Sequence, residues 1–250
     1  MTTKNQIRDL LKPVIANNPD IVISSAPFGL LFCLTPIRHV FCGVHFQRGR
    51  TKDYCHVMPV ATETCASLAL PWIGGTFERV RFNGIDGLDW DKPEIIRELQ
   101  ERLETEIIPQ LRTLMTLPGY FDYKYGKDSN FYRLPIHALV TLPTVIANGK
   151  LDLATRIYHE VLESLDWNAF ETHWAPRGTI DWYRGFKVLF EPLLNRDIPK
   201  LVEILREFER ESITKSGYEK YWEKAPFPLE EQLSPGNASR FIVVTVRPSR

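Results

Sequence analysis

Residues 37–65 read IRHVFCGVHFQRGRTKDYCHVMPVATETC, and the spacing inside this stretch decides the fold. Val40, Cys42, Val44 and Phe46 alternate with Phe41, Gly43, His45 and Gln47, the two-residue repeat of a β-strand. Residues 54–62 form a second run rich in β-branched and apolar side chains. Between the runs lie Arg48, Gly49, Arg50, Thr51, Lys52 and Asp53, a length and composition suited to a hairpin tip with Gly49 in a turn position. The stretch therefore predicts an antiparallel pair joined by a basic turn. Its better core face is the one carrying Val40, Cys42, Val44 and Phe46.

The same strand composition recurs upstream at residues 21–23 and 29–34, and downstream at residues 76–82, where Asn83 and Gly84 supply a turn. Ahead of these runs, Ile7, Leu10, Leu11, Val14 and Ile15 recur at helical spacing, with Pro13 as an interruption. Past Asp91, a plausible N-cap with Pro93 in the first turn, the apolar period changes to that of a helix. Ile95, Ile96, Leu99, Leu103, Ile107, Leu111, Leu114 and Met115 make its stripe, Pro109 kinks or ends it, and Pro118-Gly119 stops it. Residues 135–147 and 151–165, divided by Asn148-Gly149, predict a helical hairpin, and residues 185–194 and 198–211 repeat the plan. Residues 241–246, FIVVTV, read as a last strand that must pair outside its own neighbourhood, most economically with the N-terminal sheet. The expected class is α+β: an N-terminal antiparallel sheet with a long helix, then a C-terminal helical bundle of helix pairs closed by a last strand. Residues 1–125 are expected as the sheet domain, and residues 126–250 as a helical region packed on it.

A chain of 250 residues with 44% hydrophobic residues buries a sizeable core without staples. Its 31 Lys and Arg balance 31 Asp and Glu, so no global field draws it to nucleic acid or an anionic membrane, and a charged partner must be met by a local patch. The first twenty residues hold no continuous apolar segment ending in a cleavage site, and no apolar run approaches the ~18 residues of a membrane-spanning helix. Four cysteines in that setting read as reduced thiols of a cytoplasmic protein.

Cys42, His45, Cys55, His56 and Cys65 are enough ligands for zinc, but only Cys42-x-x-His45 approaches ligand spacing, and strand alternation sends those two to opposite faces. Neither a metal nor a cofactor is expected. Adjacent Cys55 and His56 diverge in the same way, and no nucleophile elbow, zinc-protease helix or phosphate loop occurs, so no catalytic motif is assembled. His39 and His45 remain as acid–base candidates. Arg48, Arg50 and Lys52, joined by Arg38, Arg79 and Arg81, offer guanidinium groups suited to phosphate oxygens; a solubilising hairpin tip is the plainer reading. Residues 166–184 carry three tryptophans, and Trp174, Arg177 and Trp182 are candidate binding anchors, against the plainer reading of inward packing. The expected function is an intracellular protein-binding or adaptor protein, including an immunity-type protein that neutralises a partner by binding. The alternative is an enzyme acting on a phosphate-containing or nucleic-acid substrate through His39, His45, Arg48 and Arg50. A protein is the expected partner, nucleic acid or another phosphate ligand the second, and a membrane is not expected.

Overall fold

In the computed structural model, residues 2–26, 29–48, 54–66, 77–82, 85–126, 132–173 and 180–233 are described. They make a mixed α+β structure built on a five-stranded antiparallel sheet. The chain divides into two compact units: Met1–Asn130 with Arg206–Ala225, and Phe131–Leu205 with Pro226–Arg250.

The first unit holds the sheet. Helix α1 (Lys4–Asn17) opens with a capping box, in which the Thr3 hydroxyl accepts from the Gln6 N–H while the Gln6 side chain accepts from the Thr3 N–H. Pro13 does not interrupt it, because Pro13 lies on the exposed face, where solvent meets the carbonyl left without a donor. Strands β1 (Ile21–Ala26), β2 (Gly29–Leu34), β3 (Val40–Arg48) and β4 (Tyr54–Glu63) follow as consecutive antiparallel neighbours. The pairing of Arg48 with Cys55 shows the antiparallel strand pair expected from residues 37–65, while the turn expected at Gly49 lies outside the described residues. Of the strand expected over residues 76–82, only β5 (Arg81–Phe82) forms among the described residues; it pairs with β6 (Ile85–Asp86), and β7 (Leu88–Asp89) joins the edge of β4.

The expected division of β3 into a core face and an outer face is corrected by the structure: Phe41 and His45 are buried along with Val40, Cys42, Val44 and Phe46. Helical layers cover both sides. Leu31, Cys33, Phe41 and Val60 share one face and pack with Ile37, Ile213 and Tyr218, while Val22, Tyr221 and Trp222 close around them. The segment carrying Tyr218–Trp222 is strapped down by a parallel bridge from Ile37 to Trp222, with hydrogen bonds from Ile37 N–H to Tyr221 O and from Glu223 N–H to Ile37 O, both 2.8 Å. The other face meets α1 and the helices that follow β7.

Those helices are the long one expected from the sequence. α2 (Pro93–Arg102) and α3 (Ile108–Thr113) are joined without a break by a π turn over Leu103–Ile107, where the Ile108 N–H reaches Leu103 O. The wider turn sits one residue ahead of Pro109, whose ring would crowd a regular helix and which has no N–H to donate. Arg112 pins α3 to the turn before β1, donating to Asp20 at 2.7 and 3.2 Å and to Asn18 at 2.8 Å. Pro118-Gly119, expected only as a stop, instead lies in the first turn of α4 (Leu117–Tyr125). The Thr116 hydroxyl caps that helix by accepting from the Gly119 N–H.

The second unit contains α5 (Pro135–Ala147), α6 (Leu151–Ile157) with a π turn running on to Leu162, α7 (Trp167–His173), α8 (Ile180–Gly185) and α9 (Phe190–Leu194). Asn148-Gly149 makes the α5–α6 turn as expected: Gly149 has φ +71°, a conformation L side chains rarely adopt, and Gln232 Nε2 donates to its carbonyl at 2.7 Å. Helix α10 (Ile198–Ser216) belongs to this unit up to Leu205 and to the sheet unit from Arg206 onward. The last strand expected over residues 241–246 lies outside the described residues. Among the described residues no helix is long and apolar enough to cross a membrane.

Candidate functional site

Strand parity places the residues singled out by the sequence. His39 and His45 project on the same side of β3 but are six residues apart, roughly 20 Å along a strand, so they do not converge on one reacting atom. Arg38 stands at the His39 end, paired with Glu223 at 3.0 Å, and is therefore remote from Arg48 at the far end of β3. Arg50, Lys52, Trp174 and Arg177 lie outside the described residues, and Trp182 is placed only by its backbone in α8. Cys42 and Cys55 sit on the face opposite His45 and His56, as alternation demands, whereas Cys33 shares the face of His45. All four cysteines are free and buried. Burial pushes the Cys33 and Cys55 thiols up to about 12 and that of Cys42 up as well, which suppresses the thiolate that nucleophilic or metal chemistry needs. Among the described residues no three His, Cys, Asp or Glu side chains gather as a metal site.

Of the acid–base candidates, His39 is drawn into a charged constellation. Its Nδ1 faces Oε1 of Glu209 at 2.9 Å, and the carboxylate accepts. The same oxygen accepts from the Thr64 hydroxyl at 2.9 Å, while Oε2 accepts from Arg206 Nη1 at 2.9 Å. Arg206 also donates to the carbonyl of Ala225. Glu209 is fully buried, and three donors from two strand ends and its own helix occupy its oxygens. It therefore serves as the polar rivet between α10 and the sheet rather than a group open to a solvent-borne substrate.

A second buried carboxylate is its immediate neighbour in sequence to Thr64. Glu63 points to the opposite face, where it accepts from the Tyr120 hydroxyl, from Lys124 Nζ at 3.3 Å and from the Tyr125 hydroxyl at 3.5 Å. Lys124 also donates to Tyr120 Oη at 2.6 Å and lies 5.1 Å from the centroids of both tyrosine rings. Desolvation, followed by the charge of Glu63, holds the Tyr125 hydroxyl well above its ordinary pKa. One end of β4 thus clamps α4 on one face through Glu63 and α10 on the other through Thr64.

Neither carboxylate was singled out from the sequence, although each leaves a trace there. Glu63 follows Pro59 and Ala61 on the parity of a buried face, and Glu209 continues the helical row of Leu201 and Leu205. A charge on an apolar row is the signal of a buried, paired ion.

In the second unit, the helices flanking residues 174–179 combine inward and outward aromatic packing. Phe170 and Tyr183 are buried with ring centroids 5.3 Å apart, and Trp167 contacts Phe170 edge-on at 5.9 Å. On the outer side, Lys187 Nζ sits 4.2 Å from the centroid of the Trp167 ring, and Arg184 reaches Glu171 at 3.4 Å. Val188, next to Lys187, is 52% exposed, and Leu134 and Leu194 are exposed as well. No protein-family model matches the chain, and neither a curated protein nor a solved structure does.

Proposed function

We propose that the chain is a cytoplasmic protein-binding or adaptor protein, of the kind that neutralises or recruits a protein partner by covering it, and that the helical unit carries the contact. The observation that supports this reading most directly is the exposure of Val188 beside the Lys187–Trp167 pair, on the segment that leads out of the tryptophan-rich stretch 166–184. Large apolar side chains next to a cation stacked on an indole are the composition of interface hot spots. Trp174 and Arg177, which follow α7 in sequence, and Trp182 of α8 are the proposed anchors. The cytoplasmic assignment rests on four free, buried thiols, which need no oxidising compartment. The catalytic alternative receives less support, since the burial of His39 against Glu209 engages one of its two histidines in holding the fold.

The test is affinity purification of the full chain from its native cell, comparing wild type with Val188→Glu and with a Trp174→Ala, Arg177→Ala double variant. The reading expects a protein partner that survives high salt with wild type and is lost with both variants. Equal recovery from all three proteins refutes the surface. Nucleic acid released by salt, and lost on changing Arg48 and Arg50 to Ala, would instead favour the phosphate-binding alternative.

A further inference from the structure

We infer that the outer edge of β1 is a docking site for an extended segment of a partner protein, which adds to the sheet as a further strand with an acidic side chain beside Lys4. This inference does not rest on the α7–α8 surface, and its test fails independently of that reading.

Register identifies the groups that point outward. Thr35 N–H donates to Asp20 O at 2.8 Å, so Asp20 and Thr35 form a hydrogen-bonded pair, and such pairs alternate along an antiparallel ladder. Val22 with Cys33 and Ser24 with Leu31 therefore exchange bonds inward, while Ile21, Ile23 and Ser25 direct their N–H and C=O groups away from β2. The same alternation carried across the sheet passes two checks. It turns the nitrogen of Pro59, which has no donor, away from β3, and it turns Val57 C=O to the far edge, where Val80 N–H meets it at 2.9 Å. On β1 the Ile21 N–H is taken by Asn18 O at 3.0 Å. Among the described residues, the Ile21 carbonyl and both backbone groups of Ile23 and Ser25 have no partner.

The two edges of the sheet are treated differently. The β4 edge is blunted by Pro59 in its middle, by β7 at Tyr54 and Cys55, and by the Val80 bond. Such devices keep strands from pairing with other chains. β1, Ile-Val-Ile-Ser-Ser-Ala, has no proline and no charge of its own, and Val22 and Ile23 are only half-buried. The partner's chemistry follows from the end of this edge. Lys4 Nζ lies 3.3 Å from Ser25 Oγ, no carboxylate among the described residues pairs with it, and the first turn of α1 contains no acidic residue. The helix N-terminus adds its positive dipole to that ammonium, so a carboxylate in the incoming strand is the complementary group. Strand addition of this kind draws affinity from main-chain bonds and specificity from alternate side chains.

The experiment uses the full chain and the peptide acetyl-Thr-Val-Glu-Val-Thr-Val-amide, with amide hydrogen exchange read residue by residue. The expected result is exchange slowed at Ile23 and Ser25 by about tenfold at millimolar peptide, less with Lys in place of the peptide's Glu or in Lys4→Glu protein. Ile23→Pro should abolish the effect and leave folding intact, because its N–H lies outside the β1–β2 ladder. Val22→Pro and Ser24→Pro should instead break that ladder and unfold β1. The inference is overturned if Ile23 and Ser25 are already protected without peptide, if the peptide leaves them unchanged, or if Ile23→Pro destabilises as much as Val22→Pro. Protection that grows with protein concentration alone would assign the edge to a second copy of the chain and overturn the proposed partner.

Discussion

Replacing Glu209 by alanine is the sharpest test of how the sheet unit is held together. The substitution removes the acceptor of three donors at once: His39 Nδ1, the Thr64 hydroxyl and Arg206 Nη1, each at 2.9 Å. The three losses are unequal. Thr64 keeps a second acceptor in Arg38 O at 3.1 Å, and Arg206 keeps Ala225 O. The guanidinium, however, loses this carboxylate at a site where Arg206 is only 9% exposed, and breaking a buried ion pair by removing one member costs about 3–5 kcal/mol. That is a large share of the ~5–15 kcal/mol that typically separates a folded domain from its unfolded chain. Urea unfolding of the full chain, followed by far-UV circular dichroism and by hydrogen exchange of the β3 amides, should show the loss as a lower midpoint at unchanged slope. A second variant separates charge pairing from helix damage. Arg206→Met combined with Glu209→Leu removes both charges and should cost less than Glu209→Ala alone. A loss below ~1 kcal/mol for the single variant, or a double variant costing the sum of two singles, would refute the rivet.

Three further outcomes follow from the same geometry. Tyr120→Phe deletes a donor to the buried Glu63 carboxylate and should lower stability by about 1.5–3 kcal/mol in urea titration, whereas Tyr123→Phe at an exposed position should not. Gly43→Ala places a Cβ 2.2 Å from Phe32 O in the middle of the sheet, where backbone must move, and should destabilise by at least ~1–3 kcal/mol in thermal melts; an unchanged melting temperature would refute the tight approach of β2 and β3. The Cys33 and Cys55 thiols, raised from 9.0 to about 12, should be alkylated by iodoacetamide at pH 8 about a thousandfold more slowly in the native chain than in guanidinium, as read by mass spectrometry. Because the folded thiols keep their protons where unfolded ones release them, their contribution to stability is complete below pH 9 and is lost between pH 9 and about 12.

Much of the fold was legible because its signals are local. The alternation in residues 40–48 and 54–63 needs only neighbouring residues to declare a strand, and the hairpin between them follows from one short connection. The stripe through Leu99, Leu103, Ile107 and Leu111 likewise declares a helix, and Pro109 marks where its geometry changes. Pro118-Gly119 was ambiguous for a physical reason: proline at the end of one helix and at the start of the next has the same φ and lacks the same donor, and only the Thr116 cap distinguishes them.

The candidate site was less legible, because what matters there is which distant groups meet. His39 reads as an acid–base candidate until Glu209, 170 residues away, is placed beside it, and Glu63 gives no sign of its partners until Tyr120 and Lys124 close over it. Periodicity reports the direction a side chain takes from its own backbone and carries no information about what lies in that direction. The sequence by itself therefore determined the strands of the central hairpin, the long helix and the separation of Cys42 and Cys55 from His45 and His56 over two faces. Only the tertiary structure decided that both faces are buried, by returning the second half of α10 to the sheet unit. Only it decided that two carboxylates pair inside, and that one sheet edge is blunted while the other, among the described residues, carries no further strand, since each depends on contacts between residues that no local rule connects.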